Sequence, residues 1–181
     1  NQFKTKMAAL KLGDPMDEKT QLGPLSSEDA LEIILKQVNK AVAQGAKIEI
    51  GGKKADLTGN FMQPTIISNI TPEMDLYKEE LFGPVASFYV VKNEKEAINL
   101  ANATDFGLGG SVFSKDIERN KNIANQIDSG MVFINSPTKS STAMPFGGTK
   151  RSGYGRELSA LGIEEFVNKK LIRIITEKEK L

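Results

Sequence analysis

The chain has 181 residues, enough for one domain that buries roughly 70% of the surface of its unfolded state. Its 24 basic and 23 acidic residues leave a net charge of +1, which argues against a dedicated nucleic-acid or membrane surface. The chain contains no cysteine and no histidine, which excludes a thiolate nucleophile, an imidazole base and a Cys/His metal site within it. We expect no metal, and we expect a cytoplasmic protein because no signal peptide or long apolar run is present.

Apolar residues at helical spacing predict two helices in the first part of the chain. The first covers residues 1–10, and because the chain opens inside it with Asn1, we expect the sequence to be a truncated piece. The second begins at a cap formed by Ser26 or Ser27 and runs to about Gln44. Its predicted apolar stripe is Leu31, Ile34, Val38 and Ala41 or Val42.

Strand patterns follow this helix. Residues 47–50 are predicted to form a short strand. Residues 61–67 are predicted to be extended, and Pro64 suits an edge or irregular strand because proline lacks the N–H that a central strand needs. Residues 73–80 are predicted to form a helical turn. Residues 85–91 form an apolar run after Gly-Pro, and this run is the strongest strand prediction in the chain.

Helices and strands then alternate. Asn93 begins a helix, residues 109–113 form a strand, Ser114 caps another helix, and residues 131–135 form a strand. The apolar residues of the second of these helices are predicted to face the core: Ile117, Ala124 and Ile127. The β–α–β–α–β order over residues 85–135 predicts right-handed crossovers in a single parallel sheet. The predicted fold class is therefore α/β, with an open, mostly parallel sheet and helices on both faces.

The chain changes character after Asn135. Residues 136–159 show no hydrophobic period and are rich in glycine and hydroxyl residues, as is typical of a functional or disordered loop. A short helix over 158–166 and a final strand over 169–175 are predicted to follow. An open strand edge of this kind usually pairs, and another subunit is the expected partner. We therefore predict an α/β domain over residues 1–167 and an oligomerisation strand and tail over 168–181.

Three glycine-rich stretches at 107–112, 148–153 and 153–158 resemble phosphate-binding loops only superficially. The first has Val112 where the dinucleotide-binding pattern needs its third glycine, and the third stretch fails at the same place. The second has Tyr154 where a phosphate-binding loop needs lysine. These stretches are interpreted as tight turns.

Two groups of polar residues leave alternatives open. Glu79 and Glu80 are either an acid–base pair or the solvated end of a helix, since adjacent residues rarely face one point. A nucleophile at Ser140 or Ser141 would need a lysine base in the absence of histidine. Lys139 and Lys150 are near in sequence, but neither has the spacing of the known serine–lysine pattern from these two serines, so the hydroxyls are interpreted as ordinary loop residues.

Three multi-residue stretches resemble the NAD(P)-dependent aldehyde dehydrogenase family. They are EELFGPV at 79–85, ANATDFGL at 101–108 and PFGGTKRSGYGRE at 145–157, and they occur in the order found in that family. The resemblance covers essentially the whole chain and is greatest to the succinate-semialdehyde dehydrogenase-like branch. It places the chain in the C-terminal part of such an enzyme, in the catalytic α/β domain.

The resemblance also implies a chemistry. In this family a cysteine thiolate attacks the aldehyde, hydride passes to NAD(P), and activated water hydrolyses the thioester. The family's cysteine and its general-base glutamate precede the matched part, so no catalytic residue is expected in this chain. We expect NAD or NADP in the full-length enzyme, none bound to the isolated chain, and no dehydrogenase activity from the isolated chain.

Matching positions imply roles for particular residues. Glu80 matches the glutamate that binds the nicotinamide ribose hydroxyls, and Phe82 the aromatic beside the nicotinamide. Phe146 matches an aromatic wall of the pocket for the aldehyde substrate. Ser140 or Ser141 lies where the succinate-semialdehyde branch places a serine near the substrate carboxylate.

Other matching positions imply an oligomer. Arg156 matches a structural arginine near the dimer contact, and residues 169–175 match a strand that joins a neighbouring subunit's sheet. A homodimer or homotetramer is therefore expected. Asn135 is interpreted as a conformational residue that ends a strand.

Two other interpretations remain open at this stage. A non-catalytic homologue kept as an assembly or binding module would share the scaffold and need no thiol. A flavodoxin-like signalling domain would fit the β–α–β order but leave the loop at 136–159 unexplained. The sequence of the parent gene upstream of Asn1 separates enzyme from module, because only the enzyme needs a cysteine there.

Overall fold

Residues 1–176 are described by a computed structural model, in which the chain divides into two units, Asn1–Val91 and Lys92–Leu181. The first unit contains two helices, three strands and one 3₁₀ turn. In chain order these are α1 (Gln2–Ala8), α2 (Glu28–Ala43), β1 (Lys47–Ile50), β2 (Thr65–Ser68), the turn Asp75–Tyr77 and β3 (Val85–Ser87).

Helix α2 supplies the buried face of the first unit. Its cap is Ser27, whose hydroxyl accepts a hydrogen bond from the Ala30 N–H at 3.0 Å, and it ends before Gly45, which has a φ of +110°. The predicted stripe is confirmed, since its members are at most 3% exposed: Leu31, Ile34, Val38 and Ala41. Val42 is 41% exposed and lies outside the stripe.

The sheet of the first unit has the order β1-β2-β3, so β2 is central, antiparallel to β1 and parallel to β3. Of the two alternatives predicted around Pro64, an edge strand is therefore wrong, whereas residues 61–64 are irregular. Pro64 precedes the first paired residue, Thr65, whose N–H donates to the Pro84 carbonyl at 2.8 Å. A proline just outside the ladder removes no ladder hydrogen bond.

Strand β3 is shorter than the predicted run of 85–91. It pairs with β2 only from Val85 to Ser87, and the Phe88 N–H adds one more bond to the Ile67 carbonyl at 2.8 Å. Because β2 ends at Ser68, the rest of the apolar run has no strand beside it there. Strand length in this case follows the partner strand more than the hydrophobic pattern.

Glu49 on β1 is surrounded by positive charge and hydroxyl groups. The Lys4 ammonium pairs with it from α1, the Lys47 ammonium lies at 3.1 Å, and the Ser68 hydroxyl donates to it at 2.7 Å. Lys4 is the largest of the effects that lower the pKa of Glu49 to about 2, followed by Ser68 and Lys47.

This cluster predicts an acid-dependent loss of stability. Because the pKa falls on folding, Glu49 contributes stability above its ordinary value of 4.5, and the contribution is lost as the pH falls toward about 2. We expect Glu49→Gln to remove that part of the pH dependence, measured as the difference in urea unfolding free energy between the two proteins across this range. Glu18→Gln, at an exposed residue that makes no hydrogen bond or ion pair with the described residues, is the control. Parallel curves for wild type and Glu49→Gln would contradict the assignment.

The second unit contains three helices and four short strands in its described part. They are α3 (Glu94–Asn102), β4 (Phe106–Gly107), β5 (Gly109–Val112), α4 (Ile117–Ala124), β6 (Met131–Ile134), β7 (Thr149–Lys150) and α5 (Ser159–Glu164). Strands β5 and β6 are parallel, with α4 between them in sequence and packed on both, while β4 and β7 pair antiparallel. The α/β class with open sheets is confirmed. None of the helices in residues 1–176 combines the length and apolar character needed to cross a bilayer.

Two predictions about residues 85–135 are wrong. The strands of residues 85–135 do not form a single sheet, because β3 pairs with β2 whereas β5 pairs with β6. Helix α4 is capped by Asp116, whose carboxylate accepts from the Arg119 N–H at 3.0 Å, and not by Ser114. The sequence pattern gives the order of elements but carries no information about which strand edges meet.

The buried face of α4 also differs from the prediction. Ile117 is 47% exposed, whereas Asn120 is fully buried and donates to the Ser114 carbonyl at 3.0 Å. Ala124 and Ile127 are half-buried. Ile117 is the first residue of α4, at the end of the helix that directly follows the cap Asp116.

The end of the described chain contains no strand. Residues 168–176 have neither helix nor strand, so the predicted strand at 169–175 is absent from this chain on its own. A strand exists only through hydrogen bonds to a neighbour, and none of the described strands pairs with this segment. The domain boundary at 167/168 stays a prediction, and residues 177–181 of the predicted tail lie outside the described residues.

Candidate functional site

The turn of the EELFGPV stretch, at residues 79–85, is packed tightly on the core of the first unit. The Gly83 N–H donates to the Leu81 carbonyl at 2.9 Å, and the Val85 N–H donates to the Gly83 carbonyl at 2.8 Å. A Cβ atom on Gly83 would lie 2.5 Å from Cδ1 of buried Ile34 and 3.2 Å from Cδ2 of Leu25. A side chain at Gly83 would therefore have to displace the side chain of Ile34 on α2, which favours glycine at this position.

Glu80 and Phe82 point away from this packed turn. Phe82 is 77% exposed, and Glu80 is exposed with a carboxylate that makes no hydrogen bond or ion pair with any residue in 1–176. The Glu80 backbone is held, since the Gln37 side-chain amide donates to its carbonyl at 3.3 Å and to the Glu79 carboxylate at 3.2 Å. A free carboxylate on a held backbone, two residues from an exposed ring, fits a sugar diol beside an aromatic cofactor ring.

The loop at 136–159 in the second unit is more ordered than its composition suggests. Phe146 and Glu157 exchange two backbone hydrogen bonds, from the Phe146 N–H at 2.8 Å and from the Glu157 N–H at 2.7 Å. The Arg156 guanidinium donates to the carbonyls of Gly148 at 2.9 Å and Gly155 at 2.6 Å. The turn that follows Phe146 is therefore closed on itself, and Phe146 is half-buried at its base.

Ser140 and Ser141 differ in their surroundings. Ser140 is exposed, and its hydroxyl makes no hydrogen bond with the described residues. Ser141 is half-buried, and its hydroxyl accepts from the Ala143 N–H at 3.4 Å. Lys150 is disfavoured as a base for either serine, because its ammonium bonds to the carbonyls of Asn102 and Thr104.

Asn135 directly follows β6 and has a φ of +54°, a left-handed angle that asparagine tolerates better than most residues. Its side-chain oxygen accepts from the Ser114 N–H at 2.9 Å, and its side-chain amide donates to the Ser114 carbonyl at 2.9 Å. The side chain thus substitutes for a strand neighbour and joins the end of β6 to the segment after β5.

One pocket of the first unit lies away from the EELFGPV turn. It has a volume of about 520 Å³, and its lining includes Phe3, Glu49, Phe88 and Val90 but none of the predicted site residues. Among residues 1–176, no three carboxylates gather closely enough to hold a metal ion. The predicted site residues therefore lie outside this pocket, on turns and loops.

Thr149 and Lys150 were not among the predicted site residues. The structure makes them a two-residue strand that holds the loop at 136–159 to β4. Two residues are too few to show a strand period, so the sequence pattern does not reveal this contact.

The profile of the aldehyde dehydrogenase family matches residues 1–172. The chain belongs to this family. A succinate-semialdehyde dehydrogenase (NADP+) of Deinococcus radiodurans is 52% identical over 168 residues, which are 93% of this chain and 35% of that protein.

Solved structures of aldehyde dehydrogenases share the fold. The succinic semialdehyde dehydrogenase of Streptococcus pyogenes in complex with NADP+ gives a TM-score of 0.91 at 46% identity, over 95% of this chain and 38% of that chain. The betaine aldehyde dehydrogenase of Staphylococcus aureus in complex with NAD+ gives 0.84 at 40% identity, over 90% and 33%. The chain thus spans between 33% and 38% of the length of these relatives. The family resemblance of the three sequence stretches is confirmed.

Proposed function

We propose that this chain is part of an NAD(P)-dependent aldehyde dehydrogenase that oxidises succinate semialdehyde to the carboxylic acid. The observation that carries the proposal is 52% identity, over 93% of the chain, to a protein named succinate-semialdehyde dehydrogenase (NADP+). The chain contains no cysteine, so the thiol that captures the aldehyde comes from another part of the enzyme.

Glu80 and Phe82 are proposed to hold the nicotinamide end of the cofactor. The Glu80 carboxylate has no partner among the described residues, so both of its oxygens can accept hydrogen bonds from vicinal ribose hydroxyls. Phe82, 77% exposed, offers a ring face beside it. The cofactor, when bound, accepts hydride; these two residues orient it. Gly83 sets the position of both, because it packs directly on Ile34.

Phe146 and the serines of the same loop are proposed to bind the substrate. The half-buried Phe146 ring would form an apolar wall against the aldehyde's carbon chain. A hydroxyl of Ser140 or Ser141 would donate to the terminal carboxylate, the group that distinguishes succinate semialdehyde from simple aldehydes.

The full enzyme is proposed to be a homo-oligomer. Residues 169–175 carry apolar side chains that are strongly exposed, with Leu171 at 88%, Ile172 at 77% and Ile174 at 80%. Pairing this segment with a second subunit's sheet would satisfy its backbone and cover these side chains. Arg156 is proposed to support this contact by holding the turn that leads into α5.

The test is a substrate panel on the full-length protein, with NADP and with NAD. We expect kcat/KM for succinate semialdehyde to exceed that for butanal, a chain of equal length without the carboxylate, by at least about tenfold. The isolated 181-residue chain should show no turnover, because it has no thiol. Absence of aldehyde oxidation by the full-length protein, or turnover by the isolated chain, would each overturn the proposal.

A further inference from the structure

Lys150 adopts a backbone conformation that a lysine rarely takes. Its φ is +54°, in the left-handed region that favours glycine or asparagine. Only 23% of its side chain is exposed, although a lysine in a surface loop is normally solvated. A strained residue with a largely covered charged side chain suggests that the side chain has a function, because the backbone alone would favour glycine.

The Lys150 ammonium meets three acceptors. It donates to the carbonyl of Asn102 at 3.3 Å and to that of Thr104 at 3.2 Å, and it lies 3.2 Å from the Asp128 carboxylate. Asn102 is the last residue of α3, where carbonyls lack partners within the helix and a positive charge is favoured. The ammonium therefore satisfies a helix end as well as an ion pair.

The acceptors form a braced junction. The Asn102 side-chain amide donates to the Gln126 carbonyl at 2.7 Å, and its side-chain oxygen accepts from the Asp128 N–H at 2.8 Å. The end of α3 and the turn before β6 are thus joined to each other independently of Lys150. The Lys150 ammonium therefore binds to two segments whose contact with each other does not depend on it.

The backbone of Lys150 belongs to the loop at 136–159, which is held to β4. Lys150 and Thr149 pair with Phe106 and Gly107 of β4, and the Ser152 hydroxyl accepts from the Gly107 N–H at 3.0 Å. Only residues 147–149 separate Lys150 from Phe146. Lys150 and Phe146 therefore belong to the same short backbone segment of this loop.

We propose that Lys150 is a positioning residue for the aldehyde substrate. Its ammonium anchors the loop at 136–159 to the junction of α3 with the turn before β6, and this anchor sets the position of the Phe146 side chain. The inference rests on the proposed function, in which Phe146 forms part of the substrate pocket. It does not assign Lys150 to the chemical step.

The test uses the full-length protein with Lys150→Met, Lys150→Arg and Lys150→Gly. We expect Lys150→Met to raise the KM for the aldehyde about tenfold, with the KM for NAD(P) within about twofold of wild type. Lys150→Arg keeps the charge and should recover most of the loss. Lys150→Gly relieves the backbone but removes the ammonium, so it should behave like Lys150→Met. Full aldehyde affinity in Lys150→Gly would overturn the proposal.

Hydrogen exchange gives a readout that needs no substrate. The amides of Phe146 and Glu157 bond across the loop, and in Lys150→Met we expect both to exchange about tenfold faster. Unchanged exchange and unchanged aldehyde KM would overturn the proposal. If the wild-type protein oxidises no aldehyde, the proposed function fails, while exchange still decides whether Lys150 anchors the loop.

Lys95→Met serves as the control, and Asp128→Asn tests the same ion pair from its other side. Lys95→Met changes an exposed lysine on α3 that makes no hydrogen bond or ion pair with the described residues, and it should leave both readouts unchanged. If Lys150→Met fails to fold, Asp128→Asn removes the same ion pair while keeping size. It should then raise the aldehyde KM and the exchange rates in the same direction, by about threefold. Wild-type values in Asp128→Asn would in that case overturn the proposal.

Discussion

We expect Glu80→Ala to raise the KM of the full-length enzyme for NAD(P) by about ten- to a hundredfold. A hydrogen bond to a charged group contributes about 1.5–3 kcal/mol, and the proposed carboxylate accepts two from the ribose. Because the Glu80 side chain is exposed and has no partner among the described residues, its loss should not affect folding. Steady-state kinetics with varied cofactor, together with a thermal melt, measure both effects.

The neighbouring acid is the matched control. Glu79→Ala removes the same group one residue away, where the carboxylate accepts only an exposed hydrogen bond from Gln37 at 3.2 Å. It should change the cofactor KM by less than about twofold. Equal effects of the two variants would mean that this turn acts only through its overall negative charge, and the assignment of Glu80 would be wrong.

We expect Gly83→Ala to destabilise the protein by about 1–3 kcal/mol and to weaken cofactor binding at the same time. The new methyl group would lie 2.5 Å from Cδ1 of Ile34, a core side chain that is only 1% exposed. Relief requires a shift of the Ile34 side chain, of α2, or of the turn that carries Glu80 and Phe82. Urea denaturation and the NAD(P) KM report the two consequences.

A double-mutant cycle identifies the clash. Ile34→Val deletes the Cδ1 atom and should alone cost about 0.5–1.5 kcal/mol. In the Gly83→Ala/Ile34→Val protein, the loss of unfolding free energy should be smaller than the sum of the losses in the two single variants by about 1 kcal/mol. The cofactor KM should return toward the wild-type value. Gly110→Ala is the control, since its Cβ would meet Ile127 at an ordinary 3.7 Å. Additive costs would show that the turn and α2 do not compete for this space.

The candidate site residues were assigned only through their distinctive sequence context, and the assignment stays a prediction. Glu80 and Phe82 stand beside Gly-Pro in a stretch shared with a known family, so resemblance assigns them roles that composition alone leaves open. The structure adds the reason for Gly83, which is a contact with Ile34 far away in the chain. Lys150 could not be predicted, because its partners Asn102 and Asp128 are distant in sequence and lysine has no typical spacing for such a contact.

In the secondary structure, too, elements set by local sequence could be predicted, whereas those that depend on distant residues could not. Helix α2 was predictable because its cap, stripe and terminating glycine are all local, and local rules agree there. The cap of α4 was misplaced because Ser114 and Asp116 both have capping side chains, and the choice depends on which bonds the surrounding chain offers. Ser114 instead gives its carbonyl to Asn120 and Asn135.

The sequence by itself determined the α/β class, the order of the longer helices and strands, and the turn at 79–85, because hydrophobic period, caps and Gly-Pro act within a few residues. Only the tertiary structure decided that β2 is a central strand, that β3 pairs with β2, and that Lys150 anchors a loop. The structure also shows that residues 169–175 form no strand within this chain. The physical reason is common to these cases: pairing and anchoring are made between distant segments, and a linear pattern does not specify which segments meet.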